Sequence, residues 1–451
     1  VVWITTEDVL DAKERLSMAK SKKWTRRGFL KGAGLAGVSL SMPAFIPSAC
    51  QGKDSRVAPS ERIVLGAIGV GGRGYYDLTA ILQEKDVQVV AVCDVRKSMR
   101  ERAKSTVDAH YGNQDCVEHA DFRDLLDRED IEGIITAPGD RWHTPISVMA
   151  MRAGKDVYSE KPSTLTIAQG RILSDVARDH ARIFQTGTQR RSEALFVLAD
   201  ELARLGRLGE VHTVYAHTLP FAMHRHWLPE APLPAKEDLD WEMWLGPAPW
   251  RPYHPDYLNG CGAWLDFFDF GTGVAGWCSH TICQCQGVLG YDLDSGTEYH
   301  YPGNSNADSF RVSYAHGADL VLSVGSSKWK GSCGVRYEGT EGWVSMADGY
   351  HSPEVSSPSL LSDRRRLVQE YMERTRRPMN HLRDFLDCMR SRRQATTHAE
   401  VAHRSMTTCH AINISMLLQR DLTWDSSKEE FVHDEEANRM RSRAMREPWH
   451  M

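Results

Sequence analysis

Three glycines within six residues, in Gly69-Val70-Gly71-Gly72-Arg73-Gly74, fit the spacing G-x-G-x-x-G. The first glycine of such a set permits a tight turn, the second lets backbone approach a diphosphate, and the third lets helix and strand pack closely. A helix opening there aims its free N–H groups at the phosphates. Glycines so spaced often make only a turn, so the context decides. Here an apolar run precedes them, helical spacing follows, and Asp94 closes the next apolar run 20 residues after Gly74. A carboxylate at that point accepts hydrogen bonds from an adenosine ribose and repels a 2′-phosphate. The pattern points to NAD(H) over NADP(H), with Arg96 close by as the one feature that favours the phosphorylated form.

The elements that must position this loop alternate in type. "RIVLGAIGV" is a continuous apolar run bounded by glycine, the signature of a parallel strand buried on both faces. "GYYDLTAILQEK" carries helical spacing, "VQVVAVCD" reads as a second strand and "RKSMRERAKSTVDAHY" as a second helix. Further strands are expected at "IEGIITAP" and "DVYSEKP", with helices at "DFRDLLDRED" and "HTPISVMAMRAG". This alternation predicts a doubly wound α/β domain over residues 61–185. Beyond it the texture changes. The helix "SEALFVLADELARLG" leads to the strand "VHTVYAHTL", then to a long connection rich in Pro and Trp. "SFRVSYAHG", "ADLVLSVGSS" and "GVRYEGTEGWVSMA" read as antiparallel strands, and "HLRDFLDCMRSR" and "EVAHRSMTTCHAINISMLLQR" as amphipathic helices. Residues 186–451 are therefore expected to form a second α/β domain with a mainly antiparallel sheet, for substrate binding or oligomerisation.

Composition narrows the function. The chain has 451 residues, 41% of them hydrophobic, enough for two domains with real cores, and its net charge of −5 gives no footprint for nucleic acid. The Arg-rich run "DRRRLVQEYMERTRR" alternates with acids and reads as a solvated face. Ten cysteines are too sparse for a disulfide scaffold. Cys278, Cys283 and Cys285 cluster beside His280, but their spacing matches no structural zinc pattern, so buried thiols and no metal are expected. No apolar run reaches the roughly 20 residues that cross a bilayer. Upstream, "TRRGFLK" followed by a weakly apolar, small-residue stretch resembles a twin-arginine export signal over residues 1–50. A polar linker follows at 51–60, and Cys50 in "IPSACQG" is a candidate lipid-attachment residue. Such a leader implies a periplasmic or envelope location in a bacterium.

"AGKDVYSEKPSTLTIAQG", with Gly154, Lys155 and the triplet Glu160-Lys161-Pro162, resembles the Gfo/Idh/MocA oxidoreductases. "GDRWHTPI", "WLGPAPWRPYHP", "GVRYEGTEGW" and the tail "KEEFVHDEEANRMRSRAMREPW" are similar too, the tail to an exported branch of that family. The resemblance covers nearly everything from Arg62 to Trp449. It implies a Rossmann domain, a C-terminal domain whose open sheet often serves in homo-oligomer contacts, and a sugar or polyol substrate. It makes Lys161 and His280 the catalytic candidates. Lys161 would hydrogen-bond cofactor ribose and substrate, and Pro162 would fix the turn that aims it. His280 would exchange a proton near neutrality. Cofactor contacts are then expected from Gly69, Gly71, Gly72, Arg73, Gly74, Asp94, His143, Glu160, Lys161 and Pro162. Sugar contacts are expected from Arg190, Arg251, Tyr257, Asp266 and Asp269, with Tyr253 and Trp264 as further candidates.

One departure stands out within the resemblance. The branch reads Asp-Trp-Gly, then His, then an Asp three residues on, whereas here the first Asp is missing and Cys283 stands at the later position. Asp266 or Asp269 would have to replace that carboxylate, or the chemistry is altered or lost. Three functions follow: an NAD-dependent oxidoreductase acting on a sugar or glycoside hydroxyl; an NAD-dependent glycosidase working by transient oxidation, elimination and re-reduction; and a non-catalytic sugar-binding homologue.

Overall fold

The computed structural model describes residues 57–451 apart from 224, 225, 326, 327 and 329. The export-signal region, Cys50 and the first part of the linker lie outside the described residues.

A parallel six-stranded sheet forms first, from β1 (Ile63–Ile68), β2 (Val87–Cys93), β3 (Val117–His119), β4 (Gly133–Thr136), β5 (Asp156–Ser159) and β6 (Phe184–Thr186). Its order is β3-β2-β1-β4-β5-β6, so strand order reverses between β1 and β4. Ligands of open α/β sheets bind at the carboxyl ends beside such a reversal. The central strands β1, β2 and β4 are mainly apolar because both faces of the sheet are covered there, whereas the edge strand β3 (Val-Glu-His) is exposed. On one side lie α1 (Gly72–Ile81) and α2 (Lys97–Tyr111), whose Leu78, Ile81, Ala103 and Val107 share a core with Leu65 and Val89. On the other, α3 (Asp140–Arg152) and α4 (Ile167–Asp179) contribute Trp142, Ile146 and Leu173 to a core with Ile68 and Ile134. The start of α4 is set locally: Thr166 Oγ1 accepts from the Gln169 N–H at 3.2 Å.

A nine-stranded sheet follows, from β7 (Val211–Thr218), β8 (Glu298–His300), β9 (Arg311–Ser313), β10 (Asp319–Val324), β11 (Val335–Gly339), β12 (Gly342–Met346), β13 (Glu354–Val355), β14 (Leu422–Asp425) and β15 (Glu430–Phe431). Its order is β13-β12-β11-β7-β10-β9-β8-β14-β15, antiparallel except where β7 meets β10. The expected mainly antiparallel second domain is thus present. One sheet face packs on α5 (Ala194–Arg204), α6 (Ala275–Leu289) and later helices through Phe196, Ile282, Val214 and Leu320. The opposite face keeps Tyr215, Val321, Arg336 and Trp343 half-exposed.

Three longer helices lie beyond β13: α7 (Arg364–Thr375), α8 (His381–Ser391) and α9 (Ala399–Leu418). The Arg-rich run is α7, with Leu367 as its one buried residue. Helix α8 returns to the first sheet, where Phe385 and Leu386 join Ile63 and Tyr158 in the core. Helix α9 departs from the amphipathic expectation, for it is buried along nearly its whole length, packed against α4 and α6. Several of its polar residues, among them Ser405, His410, Asn413 and Ser415, offset the cost of burial by bonding inward. Asn413 Nδ2 donates to the Thr272 carbonyl at 2.6 Å, and its Oδ1 accepts from the Val274 N–H at 3.0 Å.

Candidate functional site

A cavity of about 710 Å³ opens at the carboxyl ends of β1, β2, β4 and β5 and is roofed by α6 and by the aromatic segment 243–264. Gly69 turns the chain off β1 at φ +72° and presses on the segment after β4, where a Cβ would lie 2.6 Å from the Pro138 nitrogen. Gly74 sits so close to that turn that a Cβ would stand 1.9 Å from the Gly69 carbonyl oxygen. It serves packing and does not line the cavity. Gly71 and Gly72 do, and a Cβ on Gly72 would meet nothing within 4 Å. Helix α1 has no side-chain cap, so its first N–H groups remain available to an anion. The loop therefore has the shape a dinucleotide diphosphate needs.

Asp94 follows β2 and is buried, its Oδ1 accepting from the Arg96 N–H at 2.9 Å. Burial raises its carboxyl above the ordinary range. The Arg96 guanidinium turns back over Gly71, 2.5 Å from where a Cβ would be. Arg73 bridges two acids, 2.9 Å from both Asp77 and Glu160. Burial, reinforced by the Glu160 charge, pushes the Asp77 carboxyl up to about 8. Glu160 Oε1 also accepts from Gln189 at 2.6 Å, and its Oε2 from the Lys161 N–H at 3.1 Å. Glu160 is thus held on all sides and fixes the backbone of the residue that follows it.

Lys161 leaves the end of β5 with its Nζ donating to the Gly276 carbonyl of α6 at 3.0 Å. Pro162 lies off the cavity but its carbonyl accepts from His143 Nδ1 at 2.6 Å. A carbonyl only accepts, so Nδ1 carries the proton and Nε2, which has no partner, presents a lone pair. Burial lowers the His143 pKa. His280, in the second turn of α6, lines the same cavity with its Nδ1 unpartnered. Its pKa falls well below the ordinary imidazole value because it is buried, and because Lys161, Arg190 and Arg73 place positive charge nearby. One wall therefore presents an amine and two neutral imidazoles.

Arg190 also lines the cavity, held by Asp348 through Nε at 3.1 Å and Nη2 at 2.7 Å. The other expected sugar contacts do not line it. Arg251 pairs with Asp269 at 2.6 Å and lies over the Trp227 ring, while Tyr257 is buried among Trp241, Phe267 and Phe270. Asp266 lies half-buried outside the lining, and Tyr253 belongs to the aromatic core. Trp264 reaches the cavity edge. The physical reason is shared: a loop rich in Trp and Pro packs on itself, and Arg251 and Asp269 pair with each other. Cys283 does not replace a substrate carboxylate, because its thiol is buried 3.9 Å from Thr188 Oγ1, away from the cavity. Cys278 and Cys285 are buried thiols whose Sγ atoms lie against the carbonyls of His217 and Tyr215. Among the described residues no group of ligating side chains could hold a metal.

Several lining residues were not expected from the sequence: Gln189, Trp277, Cys333 and, most notably, Arg141. Arg141 lies within "GDRWHTPI", where its charge beside His143 was the available signal.

Two models of one oxidoreductase family match the chain, its NAD-binding Rossmann fold over residues 63–188 and its C-terminal alpha/beta domain over residues 211–451. A glycosyl hydrolase family 109 protein of Shewanella baltica is 29% identical over 222 residues, covering 44% of this chain and 47% of the relative. An alpha-N-acetylgalactosaminidase of Shewanella oneidensis matches with the same identity and coverage. The chain spans about half the length of these relatives. Among solved structures, the WlbA dehydrogenase of Bordetella pertussis, in complex with NADH and UDP-GlcNAcA, has a TM-score of 0.58 at 16% identity, over 81% of this chain and 98% of that one. The myo-inositol 2-dehydrogenase of Lactobacillus plantarum has a TM-score of 0.56 at 16% identity, over 80% and 99%.

Proposed function

The chain belongs to the Gfo/Idh/MocA oxidoreductase family, with the family's NAD-binding domain over residues 63–188, and we propose that it oxidises a hydroxyl of a sugar or glycoside. The observation that carries this reading is that Lys161 and His280 line the same cavity as the glycine loop.

Gly69, Gly71, Gly72 and the amino end of α1 would hold the diphosphate, and Asp94 the adenosine ribose. When bound, the dinucleotide supplies a hydride acceptor. The hydroxyl proton must leave the same carbinol centre as the hydride departs, and it goes to the neutral imidazole of His280. Lys161 donates to the hydroxyl oxygen, which fixes the carbinol and favours the developing negative charge. Because it is buried, with Lys161 and Arg190 adding positive charge nearby, the His280 imidazolium is disfavoured and passes its proton to solvent before the next cycle. Glu160 keeps the Lys161 backbone in place, and His143 offers a second acceptor at Nε2.

A panel of glycosides assayed in parallel for NADH absorbance and aglycone release tests this. NADH that accumulates with substrate supports the oxidoreductase. Aglycone release with NAD acting catalytically would replace it with the glycosidase, the reading favoured by the glycosyl hydrolase family 109 relatives. Binding with no turnover of either kind would make the protein a sugar-binding homologue. From "TRRGFLK" we also propose twin-arginine export of the folded, coenzyme-loaded protein, and joint Arg26→Lys and Arg27→Lys replacement should strand it in the cytosol.

A further inference from the structure

Arg141 is a buried cation without a matching anion. Its side chain is 1% exposed and lines the cavity. The guanidinium lies 3.7 Å over the Trp244 ring, and Nε and Nη2 both donate to the Trp244 carbonyl oxygen. Nη1 has no partner, and Arg141 forms no ion pair among the described residues. The adjacent acid, Asp140, is engaged elsewhere, accepting from Thr272 Oγ1 at 2.9 Å and from Trp264 Nε1 at 3.5 Å. Burial lowers the Arg141 pKa to about 9, so its charge is held at a cost that a bound anion would relieve.

The free donor also lies at a helix end. Nη1 sits over Gly139, 2.4 Å from where a Cβ would be, so any side chain at 139 would fill the space. Gly139 caps α3 without a side-chain hydrogen bond; the Trp142 N–H donates to the Gly139 carbonyl at 2.8 Å, which leaves the N–H groups of Asp140 and Arg141, the first two of that thirteen-residue helix, without an intrahelical acceptor. Gly69 presses on Ala137 and Pro138 immediately before it. Two helix amino ends, those of α1 and α3, thus face one cavity across the β1–β4 reversal, and one of them carries a guanidinium.

We propose that Arg141 Nη1 and the amino end of α3 form a receptor for an anionic oxygen, either of the dinucleotide's diphosphate or of a carboxylate on the sugar. The proposal rests on the cavity being the dinucleotide and sugar site. An N–H to a charged oxygen is directional as well as strong, so lysine, which lacks the planar fork, replaces Arg141 poorly.

Titration calorimetry on the full chain and its Arg141→Lys and Arg141→Met variants tests it with two pairs of probes. ADP-ribose is compared with adenosine, and methyl glucuronide with methyl glucoside in the presence of NAD. A diphosphate receptor predicts that ADP-ribose binds about tenfold or more weakly in both variants while adenosine is unchanged. A carboxylate receptor predicts the same selective loss for the glucuronide. Equal affinities across wild type and variants overturn the proposal and leave the proposed function standing, as does a parallel fall in charged and neutral probes. A wild type that binds neither ADP-ribose nor glucuronide overturns both. Should the variants not fold, a wild-type crystal soaked with each anion decides the matter. An anionic oxygen on Nη1 supports the proposal, and occupied density with no such contact overturns it.

Discussion

Replacing Gly74 by alanine would place a methyl 1.9 Å from the Gly69 carbonyl oxygen, about 1.5 Å short of ordinary contact. The oxygen belongs to backbone, and Gly69 has no room to retreat because its other side touches Ala137 and Pro138. Helix α1 would have to move away from β1, opening the core around Leu78. Overpacking of this kind costs about 1–3 kcal/mol. Gly72→Ala is the matched contrast. It lies two residues earlier, has a non-positive φ and meets nothing within 4 Å, so the unliganded protein should keep its stability to within about 1 kcal/mol. Its methyl would still enter the space assigned to the diphosphate, and NAD affinity should fall about tenfold or more. Denaturant unfolding of the unliganded proteins and calorimetric NAD titration separate the two effects. A Gly74→Ala protein as stable as wild type would refute the packing described for this turn, and a Gly72→Ala protein with undiminished NAD affinity would refute the placement of the coenzyme in it.

Lys161→Met should lower turnover by about a hundredfold or more while NAD affinity, read by fluorescence titration, stays within about tenfold. Because burial and neighbouring cations depress His280, the acid limb of kcat/KM should fall below the ordinary imidazole value of 6.5, and a limb above it would exclude His280 as the base. His410 is buried with its pKa lowered to about 3, so the native state resists the proton that the unfolded chain accepts. Its contribution is intact above pH 6.5 and declines as the pH falls, and the stability advantage of wild type over His410→Asn should shrink by about 2 kcal/mol between pH 7 and 5 in urea titrations. Asp94→Ser removes the carboxylate beside Arg96, and the ratio of NADP to NAD affinity should rise about tenfold, measured by competitive binding.

The first sheet was legible because its strands are buried on both faces. "RIVLGAIGV" and "VQVVAVCD" are dominated by apolar residues, and glycine punctuation marks where β1 yields to α1. Helix α6 was not legible. "AGWCSHTICQCQGVL" has no charged residue and is buried nearly all round, so neither period shows in it. The same blindness made α9 look amphipathic, since its inward-bonded Thr, Ser and His residues mimic a wet face. Among the residues that line the cavity, those tied to chain turns were readable: Gly69, Gly71 and Gly72 by spacing, Asp94 by its place at a strand end, and Lys161 through the Glu-Lys-Pro triplet that carries the family resemblance. Arg251, Tyr257 and Asp269 were not, because an aromatic loop offers the same residue types for packing as for sugar binding. Arg141 was missed for the converse reason. An arginine at the start of a helix ordinarily reaches solvent, and only the fold shows this one stacked beneath Trp244.

A crystal structure of the full chain with NAD tests the central claim most directly. The diphosphate should lie at the amino end of α1 and the nicotinamide ring on the wall formed by Lys161, His143 and His280. A dinucleotide bound with that ring away from Lys161 and His280, or a cavity that stays empty at saturating NAD, would contradict it.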